Sequence, residues 1–158
     1  MTFADEIKRA FQRQKEAIEE VMINSVKETS EMVILRDPVD TGKNRANMQA
    51  MLNGEPTSSV NWQGDDNGLP EGGSLLLQSM LGRQYEAPMP SPASDFAISR
   101  MIPVAEQAPG NVFVLANPVT YTEDLELYGK SPQAPQGMFR LSAAEWQNTV
   151  KENVNKVK

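Results

Sequence analysis

Residues 2–42 read TFADEIKRAFQRQKEAIEEVMINSVKETSEMVILRDPVDTG, one long helical pattern closed by a turn. Ile7, Phe11, Ile18, Val21 and Met32 fall on an alternating 4-3 spacing, with Gln14, Ser25 and Glu28 at the intervening positions. Met22, Val26 and Val33 widen this stripe, and most of the remainder is Glu, Lys, Arg and Gln. This is the pattern of an amphipathic helix. Thr2 and Asp5 make a capping box at its start. Pro38 disfavours helical geometry at Asp37, so the helix must end there. A helix of roughly 33 residues is about 50 Å long, more than the diameter of the domain this chain can build. Part of the stripe therefore meets another subunit, or the helix lies across the chain's own sheet. In the turn that follows, Asp40 and Thr41 are expected to bond nearby backbone N–H groups and Gly42 to adopt positive φ.

Beyond the turn the pattern changes to alternation. Ala46, Met48, Ala50 and Leu52 fall on one face and Asn47, Gln49, Met51 and Asn53 on the other, as in a half-buried strand. Asn53-Gly54 is a strong hairpin signal, and Ser58, Val60 and Trp62 continue the alternation on a return strand. Residues 63–93 break the pattern and read as a loop-rich insertion or arm. Within it Ser74 and Gly82 bracket a short helix, and Leu75, Leu76, Leu77, Met80 and Leu81 need cover from the body or a partner. A helix is expected over 94–107, disturbed at Pro103, followed by a short strand over 112–116. Thr120 and Glu123 spell a second capping box, opening a two-turn helix that Gly129 stops. Ser142 and Glu145 spell a third, with Trp146, Val150, Val154 and Val157 as the apolar stripe behind it. The elements add up to one α+β domain over 1–158: an antiparallel sheet packed by helices, with a long N-terminal helix, a C-terminal helix and a long central insertion.

Composition removes several chemistries. The chain has 158 residues, no Cys and no His, so it has no disulfide, thiol nucleophile, imidazole base or histidine-ligated zinc. The N-terminus is charged and lacks the apolar core of a signal peptide. No apolar run approaches the roughly 18 residues of a membrane span. Synthesis in a cytoplasm is the expectation. Fifteen Lys and Arg against 21 Asp and Glu leave a net charge of −6, which opposes binding nucleic acid by phosphate neutralisation.

Four patterns resemble active sites and fail on inspection. Asp40-Thr41-Gly42 spells the aspartic-protease triplet, and Met80-Leu81-Gly82-Arg83 resembles a retroviral protease segment. That chemistry needs two carboxylates sharing a proton in a buried site. Here the triplet follows Pro38-Val39 and a long helix, and Lys43 stands where a small residue should pack. Thr41-Gly42-Lys43 lacks the first glycine of a phosphate loop, since position 37 is Asp. Asp65, Asp66, Asn67 and Glu71 do not have the spacing of a calcium loop. Trp62 and Trp146 sit among acidic residues and read as core, not as a base-stacking platform. No enzyme, cofactor or metal is expected.

Two segments together resemble a known family. One is Pro38-Val39-Asp40-Thr41-Gly42 after the long helix. The other runs Asn117-Pro118, Tyr121, Leu125-Glu126-Leu127-Tyr128-Gly129-Lys130-Ser131, then Gln133-Ala134-Pro135-Gln136-Gly137-Met138-Phe139-Arg140. In order and spacing they are similar to the head–tail joining, or tail-completion, proteins of the neck of long-tailed bacteriophages. The likeness covers roughly residues 1–55 and 110–158. Lys43 and Asn44 replace the Arg and apolar residue common in that family, Tyr128 stretches its Glu-x-Gly step, and 56–109 carries no matching motif.

The resemblance implies a structural, non-enzymatic virion protein at the head–tail junction. It implies a homo-oligomeric, commonly six-fold, ring between the head connector or stopper and the tail-terminator or tail-tube proteins. DNA passes through such a channel without specific binding, which an acidic surface suits. Tyr121, Glu126, Tyr128, Gly129, Gln133, Pro135, Gly137 and Met138 become candidate subunit contacts. Glu126, at a helix C-terminus where the dipole disfavours a carboxylate, is expected to have an Arg or Lys partner. A tail-terminator ring subunit and a non-viral adaptor are the alternatives.

Overall fold

The computed structural model describes residues 2–38, 42–62 and 90–157. The fold is α+β: among the described residues it is mostly helix, with one two-stranded antiparallel sheet. In chain order the elements are α1 (Phe3–Arg36), α2 (Lys43–Ala46), β1 (Gln49–Leu52), α3 (Pro92–Ala105), β2 (Phe113–Ala116), α4 (Thr122–Tyr128) and α5 (Phe139–Lys156). Asp40 and Thr41, the acidic loop at 65–71 and the arm residues Leu75, Leu76, Leu77, Met80 and Leu81 lie outside the described residues.

α1 forms as its sequence demands. The Thr2 hydroxyl accepts the Asp5 N–H at 3.3 Å and the Asp5 carboxylate accepts the Thr2 N–H at 2.9 Å. These hydrogen bonds hold the Asp5 carboxyl below its ordinary pKa. Only the C-terminal half of α1 packs. Its buried residues are Ser25, Val26, Ser30, Val33 and Ile34, so that of the 4-3 line only Ser25 is buried. This face meets α3, whose Ala93, Ala97, Met101 and Ala105 recur every four residues and are all wholly buried. Alanines let the two helices approach closely, and Met48, Ala108 and Met138 complete the core. From residue 2 to residue 16, by contrast, every side chain is exposed.

Several sequence expectations are corrected. The strand is shorter than 46–53, because Ala46 closes a helical turn that starts at Gly42. The hairpin at Asn53-Gly54 does not form. β1 pairs with β2 in the register Gln49↔Ala116 to Leu52↔Phe113, not with 58–62. Asn53 does take the left-handed conformation, at φ 55°, but uses it to reach the far strand. Its side chain donates to Asn111 Oδ1 and accepts from the Val112 N–H, both at 2.9 Å. Residues 58–60 run beside β1 and are held by side chains: Asn47 Oδ1 accepts the Val60 N–H at 2.6 Å and Gln49 donates to the Ser58 carbonyl. Trp62 packs on Phe96 of α3 with ring centroids 5.1 Å apart.

Helix starts differ from the sequence reading too. α3 begins at Pro92, inside the stretch read as arm, with Ser91 and Ser94 as a reciprocal cap. Pro103 stays within α3, because the bond it forfeits is to the exposed Ser99 carbonyl, where water can substitute. Thr120 and Glu123 are not a capping box. α4 starts at Thr122, whose hydroxyl donates to Asn44 Oδ1 at 2.6 Å. Ser142 and Glu145 are a turn inside α5, not at its start, and both hold Arg36. Trp146 points outward at 38% exposure, and the line α5 buries is polar, with Ser142 and Asn153 in it.

The junction of α1, α2 and α3 is organised by Arg45, which is 2% exposed. Its guanidinium donates to the Leu35 carbonyl at 3.0 Å, to the Asp37 carbonyl and to the Ser91 hydroxyl at 3.2 Å. The last carbonyls of a helix have no intrahelical donor, so this one side chain satisfies the end of α1 and braces the cap of α3. Replacing Arg45 by Met keeps the stem and strands these acceptors; urea unfolding is expected to show a loss of about 3 kcal/mol. A loss within about 0.5 kcal/mol would mean the cluster is not structural.

Candidate functional site

The residues of the second family-like segment gather at the elbow between α4 and α5. Asn117 bends the chain before α4, its Oδ1 accepting the Val119 N–H at 3.0 Å while its amide donates to the Asn44 carbonyl at 2.8 Å. Asn44 in turn donates to Asp37 Oδ1 at 2.6 Å. Through Asn44 the flanks of the two family-like segments are joined.

Gly129 stops α4 in the left-handed conformation, φ 57°, as expected from its position. A Cβ there would lie 2.7 Å from the Pro135 carbonyl oxygen. The loop 130–138 therefore folds back over the helix end. Its turns are carried by backbone bonds from Ala134 to Ser131 and from Gly137 to Ala134, and the Gln133 N–H donates to the Ser131 hydroxyl at 3.3 Å.

Glu126 is the centre of the elbow. Its carboxylate accepts the N–H groups of Met138, Phe139 and Arg140 at 2.7, 2.9 and 2.9 Å, and Arg140 Nε at 3.2 Å. The guanidinium also donates to the Glu126 carbonyl. The Arg partner expected from the sequence is thus Arg140, in the same chain. A carboxylate misplaced at the end of α4 is well placed at the start of α5, where free N–H groups and the positive end of the dipole lie. Of the other candidate contacts, Met138 is wholly buried in the core, and Gly137 and Gly129 are filled by this chain's own atoms. Tyr121 and Tyr128 are exposed, at 40% and 68%, and Pro135 is exposed as well. The Lys130 ammonium sits 5.8 Å from the Tyr128 ring centre and pairs with Asp124 at 2.7 Å.

Sequence reading missed the seam between α1 and α5. The helices run antiparallel: Arg36 grips Glu145 at 2.7 Å at one end, and Glu28 accepts from Lys156 at 2.8 Å and Asn153 at 2.9 Å at the other. The signal was present, since Ser25 and Glu28 interrupt the apolar line where a polar partner is needed. Glu28, Glu31, Glu145 and Glu152 line an open groove along this seam. Burial works to raise the pKa of Glu28, but the bonds from Lys156 and Asn153 and the Lys156 charge outweigh it, and the net shift is downward. Glu31 is raised, by burial first and then by the Glu28 charge, against a smaller opposing effect of Lys27.

Among the described residues no cluster of acidic side chains is placed to hold a metal ion. No helix among them is long and apolar enough to cross a membrane. What the surface offers is contact: the Tyr121–Tyr128 face of α4, and the apolar face of α1, where Phe3, Phe11 and Ile18 are 76%, 68% and 68% exposed. Compared with protein families, with curated proteins and with solved structures, the chain matches none of them.

Two measurements test the site. Gly137 and Gly110 have nearly the same φ, 78° and 80°, but a Cβ at Gly137 meets Glu126 at 2.7 Å while one at Gly110 meets nothing. Gly110→Ala should cost about 1 kcal/mol, the left-handed penalty alone; Gly137→Ala should cost at least about 2 kcal/mol more, because it also displaces the Glu126 cap. Equal losses would remove the elbow from the structural account. For Glu31 the folded pKa lies above the ordinary 4.5. Its favourable contribution is complete below the unfolded value and is lost as pH rises through the folded value. Glu31→Gln is accordingly expected to raise Tm at pH 7, with the gain fading as the pH falls through the folded value and gone below 4.5; a Tm change independent of pH would contradict the assignment.

Proposed function

We propose that this chain is a structural subunit of the neck of a long-tailed bacteriophage, joining the DNA-filled head to the tail by protein–protein contact. The observation that supports this most is the way the family-like segments cooperate. They lie some 75 residues apart in sequence, yet Asn44 joins their flanks and Glu126 locks the second segment onto α5. Their described flanks belong to one body, as a shared fold signature should be. From that body the outer half of α1, about 25 Å, extends with apolar side chains in solvent. A ring subunit needs both features: a braced body of fixed shape and apolar surface held ready for neighbours. The net charge of −6 suits a wall past which DNA slides. A homo-oligomeric ring, set between head connector and tail proteins in the virion, is the form this function takes.

The test is electron microscopy of particles assembled without this protein. Filled heads beside separate tails of normal length are the expected result. Overlong tails would reassign the subunit to tail termination. Normal, infectious virions would overturn the reading.

A further inference from the structure

The two ends of α5 are held in different ways. Its start is fastened to the core. Met138 is wholly buried just before it, Phe139 packs against the core cluster, and the Glu126 carboxylate accepts the N–H groups of Met138, Phe139 and Arg140. Beyond Arg140, no α5 side chain belongs to that cluster or packs against it among the described residues. The side chains that α5 buries are Ser142 and Asn153, both polar. The apolar stripe falls on the flank beside them, where Trp146 is exposed and Val150, Val154 and Val157 are half-buried. α5 therefore leans on the body by its polar side.

The seam it makes with α1 is closed by polar groups at both ends. Arg36 donates to the Ser142 hydroxyl at 2.9 Å and to Glu145 at 2.7 Å. Eleven residues along, Asn153 and Lys156 donate to Glu28, and the Asn153 amide stands 3.4 Å from the Ser25 hydroxyl. Between these ends the open groove holds Glu28 and Glu31 from one helix and Glu145 and Glu152 from the other. The cations that bridge the helices are Arg36 and Lys156, while Lys27 is paired with Glu106. Ion pairs left partly in water stabilise little, and neighbouring carboxylates repel one another. The seam thus lacks the apolar burial that makes an element open only with the whole domain.

We propose that α5 is a hinged strap: it lifts from α1 as a unit, pivoting at Phe139 on the Glu126 elbow, while α1, α3 and the sheet stay folded, and Arg36 and Lys156 are the latches that keep it shut. Lifting bares Ser25, which is wholly buried in the closed form. A detached helix of this length, rich in Val, Thr and Asn, is marginal in water, so its backbone opens along with the strap. The body keeps its shape because its own core contains nothing from the lifted part. Any molecule that engages the freed helix or the bared side of α1 shifts the balance toward the open form by mass action. The device does not depend on the neck reading.

The chain has no cysteine, so a single introduced thiol can be followed in the full-length protein. Ser25 and Ser30 are both buried and lie on the same helix. Ser25 is under α5, beside Asn153, whereas Ser30 lies between Val26 and Ile34 on the face that packs into the core. Ser25→Cys and Ser30→Cys are nearly isosteric changes, with folding checked by circular dichroism. Relative to the unfolded chain, Ser25→Cys should react with a thiol reagent at least about 30-fold faster than Ser30→Cys, because only the strap has to lift. About 1 M urea should speed the reaction of Ser30→Cys about tenfold, since its opening exposes the whole core, and that of Ser25→Cys less than about threefold. Adding Lys156→Met to Ser25→Cys should speed labelling about threefold. Equal rates, or an equal response to urea, would show that α5 leaves only when the whole domain unfolds and would overturn the proposal. Hydrogen exchange of the unmodified protein, read residue by residue by NMR, checks the same point without a substitution. Scaled to their intrinsic rates, the amides of residues 146–153 should exchange at least about 30-fold faster than those of Val33, Ile34 and Met101, with Met138 and Phe139 protected like the core. Core-like protection throughout α5 would sink the strap.

Discussion

Everything in the body turns on one buried cation. The Arg45 guanidinium lies where α1 ends, α2 runs and α3 begins, and it supplies donors to groups at the end of α1 and the start of α3. Removing a charge from water costs several kcal/mol, offset only if its hydrogen bonds are nearly complete. That condition fixes the neighbourhood. The carbonyls of Leu35 and Asp37 must point inward, so α1 must stop at Arg36. Ser91 must present its hydroxyl, so α3 must start beside it. Asn44, next to Arg45, reaches Asp37 on one side and Thr122 on the other. The core around this cluster is modest and rich in alanine and methionine, and polar geometry supplies the orientation that bulky apolar packing supplies in larger domains.

How much of this was legible depends on whether a feature is settled locally. The capping box Thr2–Asp5, the end of α1 before Pro38 and the left-handed Gly42 and Gly129 all follow from residues within a few positions and form as expected, and the strand expected over 112–116 forms over Phe113–Ala116. The errors have a common cause. Asn53-Gly54 has the composition of a tight turn, but Asn53 satisfied the backbone of Val112, almost 60 residues away. Thr120–Glu123 and Ser142–Glu145 have the composition of capping boxes. In the fold, Asn117 turned the chain past the first, and Glu126 opened α5 three residues before the second. In each case a side chain from elsewhere supplied the hydrogen bond that the local motif was expected to make.

The same contrast divides the candidate contacts. Glu126, Gly129, Gly137 and Met138 drew attention as a motif, and the structure uses them inside the chain, as the joint that aims α5. Their family-like spacing is explained by the elbow they build. Tyr121, Tyr128 and Pro135 lie in the same segment but outside that joint, and all three are exposed. A motif can thus mark a fold and, through the residues it leaves at the surface, carry a contact as well.

The two faces of α1 show why its length is not surplus. Toward the body the helix meets α5 through a polar seam, Arg36 with Glu145 and Glu28 with Asn153 and Lys156. Half-exposed ion pairs stabilise only modestly, but like charges opposed across a seam are disfavoured, so they fix register better than they add affinity. Away from the body the same helix replaces Ser25 and Glu28 by Phe11 and Ile18 on the same 4-3 line. One continuous stripe therefore changes from polar and internally satisfied to apolar and open at the point where it leaves the fold. Such a change is costly in solvent for a solitary chain, since apolar area left uncovered forgoes about 25 cal/mol per Å². A sequence that places phenylalanines on the projecting half, and serines on the packed half, has left the first open to solvent and enclosed the second.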